Sequence, residues 1–276
     1  MKFEPFDIGR FLIVPGKRFH LALIKAKVRA GVMEKVASIT RKYGVKIVYL
    51  SYSMQREYGK PITAIAFLDM TDSTITAEEL AKEVRSLDVV EEVREVKPEI
   101  EGFICDMLSF PLVIGKDRVI ILREQGIKGI ICGLRKRLGS AAEAIQYFSG
   151  FEAGLEYGKS HIKLGKALGI KKASEIFSKI SAPLFTPIGF GLMEVVKITD
   201  EPPYALIRVY RCFECECCDE KTERPYSHLV RGMSAGLFTS LFKTEMFARE
   251  TKCIAKGDPY CEFKITPQKD RKSKIM

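Results

Sequence analysis

The residues best suited to bind a metal ion lie near the C-terminal end of the chain, in the segment ETKCIAKGDPYCEF. Glu250 precedes Cys253 by three positions, and Cys261 follows Cys253 by eight. The Gly-Asp-Pro sequence between the cysteines favours a turn that brings the two sulfurs together. A soft divalent ion such as Zn²⁺ accepts two thiolates and a carboxylate, but a closed structural site has four ligands. The spacing therefore predicts zinc as a cofactor, with the fourth ligand from elsewhere in the chain.

A second group of cysteines precedes this segment. Cys212, Cys215, Cys217 and Cys218 lie in RCFECECCDEK, a feasible distance upstream for a site assembled from separated parts of the chain. The cysteines cluster as ligands do, rather than spreading as a frame of disulfides does. The alternative is that the two cysteines of the C-terminal segment are reduced thiols that pack as small apolar residues.

Length and composition indicate a folded protein of about two domains. The chain has 276 residues, of which 46% are hydrophobic and 29% are charged, and this balance excludes a disordered chain. No apolar run reaches the roughly 18 residues that a membrane span needs. Glu4 and Asp7 lie where a secretion signal would be basic and then apolar. We therefore expect a cytoplasmic protein without a membrane span.

The net charge of +10 raises the question of nucleic-acid binding. Lysine and arginine are spread through both halves of the chain, and no helix-turn-helix or RNA-recognition motif is present. We therefore expect no direct binding to nucleic acid, although a basic surface also suits an acidic protein partner. The dense basic run falls at the end of the chain, and residues 266–276 are predicted to form a solvated basic tail.

The pattern from His20 to Val96 predicts six elements in the order βαββαβ. HLALIKAKV alternates as a strand does, and the helix that follows it closes at Gly44. Two β-rich runs come next, and Thr76 with Glu79 forms a capping box at the start of a second helix. The last strand is VVEEVREV.

This order, together with AGVMEKVASITRKYGVKI at the first strand-to-helix turn, resembles the ACT regulatory domain over about residues 19–98. The resemblance implies a ferredoxin-like domain, here residues 1–98, that pairs with a second copy and binds an amino acid at the interface. Gly31 falls on the glycine of that family, where free N–H groups at a helix start can receive a carboxylate. A purely structural, dimerising domain is the alternative.

The second half of the chain begins after a predicted linker at 98–102. A strand followed by a helix is expected in RVIILREQGIKGIICGLRKRLG, and an amphipathic helix begins at Gly139-Ser140. The runs FGLMEVVKI, ALIRVYRCFECE and CEFKI are predicted strands, and Pro202-Pro203 makes the first two a hairpin. A further helix spans SHLVRGMSAGLFTSLFKTEMF.

Three segments of this half, GSAAEAIQYFSGFEAGLEYG, RPYSHLVRGMSAGLFTSLF and ETKCIAKGDPYCEF, resemble the 4-vinyl reductase domain of predicted hydrocarbon-binding proteins, over about residues 103–265. The resemblance implies an α+β fold with an antiparallel sheet and helices that enclose an apolar pocket. We expect that pocket between the helices at 140–158 and 229–243. Its predicted lining is Phe148, Phe151, Tyr157, Phe185, Phe190, Leu192, Leu229, Phe238 and Leu241.

In the aromatic-sensing relatives of that family, zinc is held by Cys, Glu, Cys and Cys, and the last three match the C-terminal segment in spacing. The first would fall on Ser227, and serine is a poor zinc ligand. His228, a cysteine of the 212–218 stretch or a water would then complete the site. If that stretch is a strand, Cys212 and Cys218 share one face and Cys215 and Cys217 the other, so at most one pair reaches it. Cys217 or Cys218 is favoured, at the strand end nearest the helix.

Two functions follow from these observations, and the first is favoured. The chain is a non-catalytic, homodimeric sensor that binds a small hydrophobic or aromatic ligand in its second domain. The alternative is an enzyme, a reductase or accessory factor for a vinyl-bearing or hydrophobic substrate, but no GxGxxG, P-loop or HExxH motif supplies its chemistry. A transcription regulator would need a partner to supply the DNA-binding element.

Overall fold

The structure, a computed structural model, describes residues 4–268 except 28, 30, 55, 56, 58, 59 and 218–220. The chain divides into two compact units, Met1–Ile120 and Ile121–Met276. Most of the predicted basic tail, residues 269–276, lies outside the described residues. Among the residues that are described, no helix combines the length and the apolar character needed to cross a membrane.

The first unit contains eight short strands and two helices among its described residues. In chain order they are β1 (Phe11–Ile13), β2 (Phe19–Ala26), α1 (Val32–Lys42), β3 (Lys46–Tyr52), β4 (Ile62–Asp69), α2 (Ala77–Arg85), β5 (Val90–Val96), β6 (Phe103–Cys105), β7 (Val113–Ile114) and β8 (Asp117–Arg118).

Four of these strands form an antiparallel sheet in the order β3-β4-β2-β5. The six elements from β2 to β5 follow the order βαββαβ that the sequence pattern predicts. Because side chains alternate along a strand, Ala22 and its cross-strand partners Ala66 and Glu95 lie on one face of the sheet. Buried Ala22, Ala66, Leu68 and Leu80 form a cluster on the side of the sheet that α1 and α2 cover.

The other face of this sheet carries a separate cluster, in which Phe19, Leu21 and Phe67 pack against Ile104. Ile104 belongs to β6, which pairs antiparallel with β1. Residues 103–105 are therefore part of the first unit, whereas the sequence analysis placed the start of the second domain at 103. Pairing between strands so far apart in the chain leaves no local signal in the sequence.

The ends of the two helices follow the local sequence. The Thr76 hydroxyl accepts a hydrogen bond from the Glu79 N–H, and the Glu79 carboxylate accepts one from the Thr76 N–H, which confirms the predicted capping box of α2. Gly31 precedes α1 with φ +82°, a conformation that favours glycine, and no atom lies within 4 Å of the position a Cβ would take. The predicted effector residue thus borders open space at a helix start.

The second unit is dominated by two long helices and a sheet. Its elements are α3 (Glu124–Lys128), a π-helical turn (Gly129–Gly133), α4 (Leu134–Leu138), α5 (Ser140–Ala167), α6 (Ala173–Ile176), a second π-helical turn (Phe177–Ser181), α7 (Ala182–Phe185), β9 (Leu192–Thr199), β10 (Tyr204–Tyr210), α8 (Phe213–Glu216), α9 (His228–Phe242), β11 (Met246–Lys252), a 3₁₀ turn (Ile254–Lys256) and β12 (Cys261–Pro267).

The second sheet is antiparallel with the order β11-β12-β10-β9. β9 and β10 form the hairpin that the Pro202-Pro203 pair predicts. Two predicted strands differ from the structure. Residues 119–123 have no regular structure, and β10 ends at Tyr210 because Arg211 adopts a left-handed conformation (φ 54°) and a helical turn follows.

Helices α5 and α9 pack backbone to backbone through glycines. A Cβ added at Gly150 would lie 2.1 Å from the Leu229 carbonyl oxygen, and one at Gly154 would lie 2.1 Å from that of Met233. From the other side, a Cβ at Gly236 would lie 1.9 Å from the Phe151 oxygen. The predicted cavity between these helices is therefore wrong, because the glycines bring the two backbones together instead of leaving space.

This contact predicts that Gly154→Ala lowers the free energy of unfolding by about 3 kcal/mol, since the added methyl group forces the helices apart. The matched control is Gly126→Ala in α3, where nothing lies within 4 Å of the new Cβ. The control is expected to be neutral or to stabilise by up to about 1 kcal/mol. Urea denaturation followed by circular dichroism measures both, and an equal loss in the two variants would contradict the role of the contact.

Candidate metal centre

The hairpin of β11 and β12 holds Cys253 and Cys261 side by side. Cys253 directly follows β11, Cys261 is the first residue of β12, and the connection turns at Gly257 with φ +96°. The Cys253 N–H donates to the Asp258 carboxylate at 2.8 Å, and the Ile254 N–H donates to the Cys261 sulfur at 3.4 Å. The turn predicted from the Gly-Asp-Pro sequence thus presents both sulfurs to one point.

Cys215 brings a third sulfur to this point. Its Sγ lies 3.6 Å from Cys253 Sγ and 3.5 Å from Cys261 Sγ. With a carboxylate oxygen of Glu250, the ligand atoms of the four residues all lie within 4.8 Å of one another, and all four residues are buried. The edge of a tetrahedron with sulfurs about 2.3 Å from its centre is roughly 3.8 Å. The cluster therefore has the dimensions of a tetrahedral metal site.

The prediction that Cys217 or Cys218 completes the site is wrong for Cys217. Residues Phe213–Glu216 form a helical turn rather than a strand, so Cys212 and Cys215, one turn apart, point the same way. The Cys217 sulfur lies elsewhere, 3.7 Å from that of Cys132, in a separate buried cluster. Cys218 lies outside the described residues. No disulfide joins the described cysteines.

Ser227 occupies the centre of the cluster without replacing a ligand. It is fully buried, and its N–H and hydroxyl donate to the two oxygens of Glu250 at 3.0 and 2.9 Å. Its Oγ also lies 3.0 Å from Cys215 Sγ and 3.3 Å from Cys261 Sγ. Ser227 therefore orients the carboxylate, while Cys215 supplies the sulfur that the family pattern places at the serine position. His228, another candidate, points its Nε2 at Glu143, 3.7 Å away.

The electrostatics of the cluster favour a cation. Burial raises the pKa of Glu250 to about 8, and the charge of Cys253 contributes to that rise. Hydrogen bonds from Cys215 and Cys261 lower the pKa of Cys253, so this thiol carries negative charge in the cluster. Among the described residues, the Glu250 carboxylate is hydrogen-bonded to Ser227 and has no ion pair with lysine or arginine. Buried anions require a compensating charge, and a divalent ion supplies it.

Glu214, which the sequence analysis did not single out, fixes the helical turn that carries Cys215. Its fully buried carboxylate accepts hydrogen bonds from the N–H groups of Leu229 and Val230 at 3.0 and 2.8 Å. Arg135 pairs with the same carboxylate at 2.6 Å and neutralises it. Burial nevertheless raises the pKa of Glu214. The signal in the sequence was an acidic residue directly beside a candidate ligand.

The nine residues predicted to line a pocket do not enclose a common space between α5 and α9. Phe185, Phe238 and Leu241 are buried in the core, whereas 64% of the Phe148 surface is exposed. Phe185 and Phe190 meet edge to face at 5.4 Å. The remaining residues are half-buried or exposed around the core: Phe151, Tyr157, Leu192 and Leu229.

Comparison with known proteins places the candidate metal residues inside a recognised domain. Residues 206–267 match the 4-vinyl reductase domain, and this range includes Cys215, Glu250, Cys253 and Cys261. The uncharacterized protein MJ1642 of Methanocaldococcus jannaschii is 26% identical over 140 residues, which cover 51% of this chain and 74% of that protein.

Two solved structures share parts of the architecture. The phenol-responsive sensory domain of the transcription activator PoxR, solved with phenol, aligns with a TM-score of 0.52 and 17% identity, over 59% of this chain and 85% of that one. A vinyl-4-reductase family protein of Methanocaldococcus jannaschii aligns with a TM-score of 0.33 and 19% identity, over 44% of this chain and 67% of that one. The first likeness shows a shared fold.

The geometry predicts that Cys215→Ser lowers the affinity for a soft divalent ion by about 100-fold or more, because it removes a ligand and not only its support. Cys217→Ser is the matched control, since that sulfur is equally buried but belongs to the other cluster. Competition titrations with Zn²⁺ or Cd²⁺ measure the affinity. Retention of tight binding in the Cys215 variant, or its loss in the control, would contradict the assignment.

Proposed function

We propose that this protein is a non-catalytic sensor of small molecules. Its second unit binds a small hydrophobic or aromatic ligand and is held together by a structural zinc ion, and its first unit dimerises or binds a polar effector. The observation that carries the proposal is the buried cluster of three sulfurs and a carboxylate inside the segment that matches the 4-vinyl reductase domain. The fold shared with a phenol-responsive sensory domain supports a ligand of aromatic character.

The ligand set supports a structural rather than a catalytic role for zinc. A catalytic zinc ion keeps one position open for water or substrate, whereas three thiolates and a carboxylate fill a tetrahedral site. The three cysteines are almost fully shielded from solvent, with Cys215 2% exposed and both Cys253 and Cys261 0% exposed. The ion would join the hairpin of β11 and β12 to the turn that follows β10.

The two histidines of the second unit argue against the reductase alternative. Burial lowers the pKa of His161, whose Nδ1 lies 2.8 Å from the Ser181 hydroxyl. Burial and the charges of Arg135 and Arg231 lower the pKa of His228 to about 4. Both side chains are thus neutral at pH 7, and a neutral imidazole is a weak general acid for reducing a vinyl group.

The first unit supports an ACT-like role through its topology. The βαββαβ order, the strand order β3-β4-β2-β5 and the position of Gly31 at the start of α1 agree with a ferredoxin-like regulatory module. β3 and β5 are the edge strands of the sheet. β5 carries four charged residues, which discourage pairing with another strand, so we place the dimer contact at β3.

The zinc proposal predicts one zinc ion per chain in native mass spectra of the protein purified without added metal. The double substitution Cys253→Ser with Cys261→Ser is expected to abolish it and to lower the melting temperature by about 10 °C or more, because two of four ligands are lost. Cys105→Ser, a cysteine of the first unit, is the control and should retain the ion. A zinc-free wild-type protein, or a double variant that melts at the wild-type temperature, would sink the proposal.

The dimer proposal predicts that the full chain sediments as a dimer at tens of micromolar. Val48→Lys, in the middle of β3, should shift it toward monomer because it adds a charge to the proposed contact. Val113→Lys is the control, since Val113 is a similarly exposed valine in β7. Analytical ultracentrifugation decides the question, and a wild-type monomer or equal effects of the two variants would rule out pairing through β3.

A further inference from the structure

The first unit contains a cavity of about 360 Å³ between its four-stranded sheet and its two helices. The sheet face that lines it is the one that carries Ala22 and its cross-strand partners. α1 contributes Val32 and Val36, and α2 contributes Leu80 and Val84. The volume is roughly twice that of an engineered cavity that binds benzene, so it suits a molecule of about 10 to 14 non-hydrogen atoms.

The cavity exists because small residues stand where the sheet and α2 face each other. Six alanines line it, four from β2 and β4 and two from α2: Ala22, Ala26, Ala64, Ala66, Ala77 and Ala81. Ala22 and Ala66 are directly paired across the sheet, so two small side chains lie opposite one another. Larger apolar residues at these positions would fill the space, as they do in ordinary close-packed interiors. The void is thus written into the sequence.

Two polar groups within this apolar lining have no partner. Nδ1 of His20 and Oε2 of Glu95 are both buried, and neither forms a hydrogen bond among the described residues. They lie on the same sheet face, because Glu95 pairs with Ala22, which is two residues beyond His20 on β2. Buried polar atoms are nearly always hydrogen-bonded, so an unmet pair beside a cavity points to a ligand.

The chemistry of these two groups selects the polar group of the ligand. A carboxylate oxygen accepts only, so the ligand must donate to Glu95. Lys97 and Arg18 place positive charge near His20, and burial together with these charges lowers the pKa of this histidine, which is therefore neutral at pH 7. Positive charge disfavours an ammonium group there, and Glu95 disfavours a carboxylate. A hydroxyl group donates to Glu95 and can also accept from or donate to a neutral imidazole.

We propose that the first unit binds a small apolar molecule carrying one hydroxyl group, with the apolar body in the alanine-lined cavity and the hydroxyl between His20 and Glu95. Lys27 and Arg29, which also line the cavity, are paired with Glu91 and Asp88 and so are not free anion sites. The proposal is independent of the ligand proposed for the second unit, because the two sites lie in different units of the chain.

The test compares the binding of 2-naphthol, naphthalene and 2-naphthoate to the full-length protein by fluorescence titration. We expect 2-naphthol to bind about tenfold more tightly than naphthalene, which lacks only the hydroxyl, and 2-naphthoate to bind most weakly. Equal affinities for 2-naphthol and naphthalene, tighter binding of 2-naphthoate, or no binding of any of the three would overturn the proposal.

Substitutions then locate the site. Ala64→Leu fills the cavity, so it should reduce 2-naphthol binding at least tenfold while raising the melting temperature, which separates filling from unfolding. Ala81→Leu on α2 repeats the test from the helix side. Ala37→Leu on the exposed face of α1 is the matched control and should bind normally. If both filling variants bind 2-naphthol like the wild type, the molecule sits elsewhere, the second unit included, and the proposal is wrong.

The hydroxyl contact is tested separately with Glu95→Gln. This change keeps the size of the side chain but removes the charge that strengthens the hydrogen bond, so the affinity for 2-naphthol should fall to about that of naphthalene. The affinity for naphthalene should stay unchanged. An equal loss for both molecules would show that Glu95 shapes the cavity rather than binding the hydroxyl, and would overturn that part of the proposal.

Discussion

The second unit is organised around a buried group of potential anions that has no protein cation to balance it among the residues the structure describes. Three sulfurs and one carboxylate converge from α8, β11 and β12, and Ser227 at the start of α9 hydrogen-bonds the carboxylate. Like charges confined in a protein interior repel, and burial disfavours each of them further. The arrangement is stable only if protons or a metal ion take up the charge, and so the chain ends of four elements depend on that one choice.

Small residues have opposite consequences in the two units. In the second unit, Gly150, Gly154 and Gly236 lie where two helices touch, and they let the backbones approach until no side chain fits. In the first unit, alanines lie where a sheet and a helix are held apart by the connections of a βαββαβ fold, so their small size leaves a void. The same lack of side-chain volume closes one interface and opens the other, according to whether the elements are free to move together.

The sequence predicts the elements and three of the candidate ligands well, because those depend on local patterns. Strand alternation, the Thr76 capping box and the turn between Cys253 and Cys261 each involve a few neighbouring residues. Cys215 was missed as a favoured ligand because its direction depends on Arg211 adopting a left-handed conformation that ends β10. The pocket between α5 and α9 was misplaced because a glycine pattern looks the same whether it makes space or removes it.

The residues that need long-range information escaped in the same way. β6 joins the first unit by pairing with β1, nearly the whole unit away in the chain. The cavity in the first unit was not anticipated because its alanines alternate as ordinary strand residues do, and only their meeting across β2 and β4 leaves the space. His20 and Glu95 are likewise ordinary strand residues when taken separately, and the register of β2 with β5 is what makes them neighbours.

The four-residue helix α8 has a mechanical consequence. Cys215, one of its residues, reaches the metal cluster, while the adjacent Glu214 holds the first backbone N–H groups of α9. α8 is thus a rigid crank with one arm at the cluster and the other at the end of a helix that is locked along its length to α5. Any rotation of this crank when the cluster gains or loses its ion is carried directly into the position of the α5 and α9 pair.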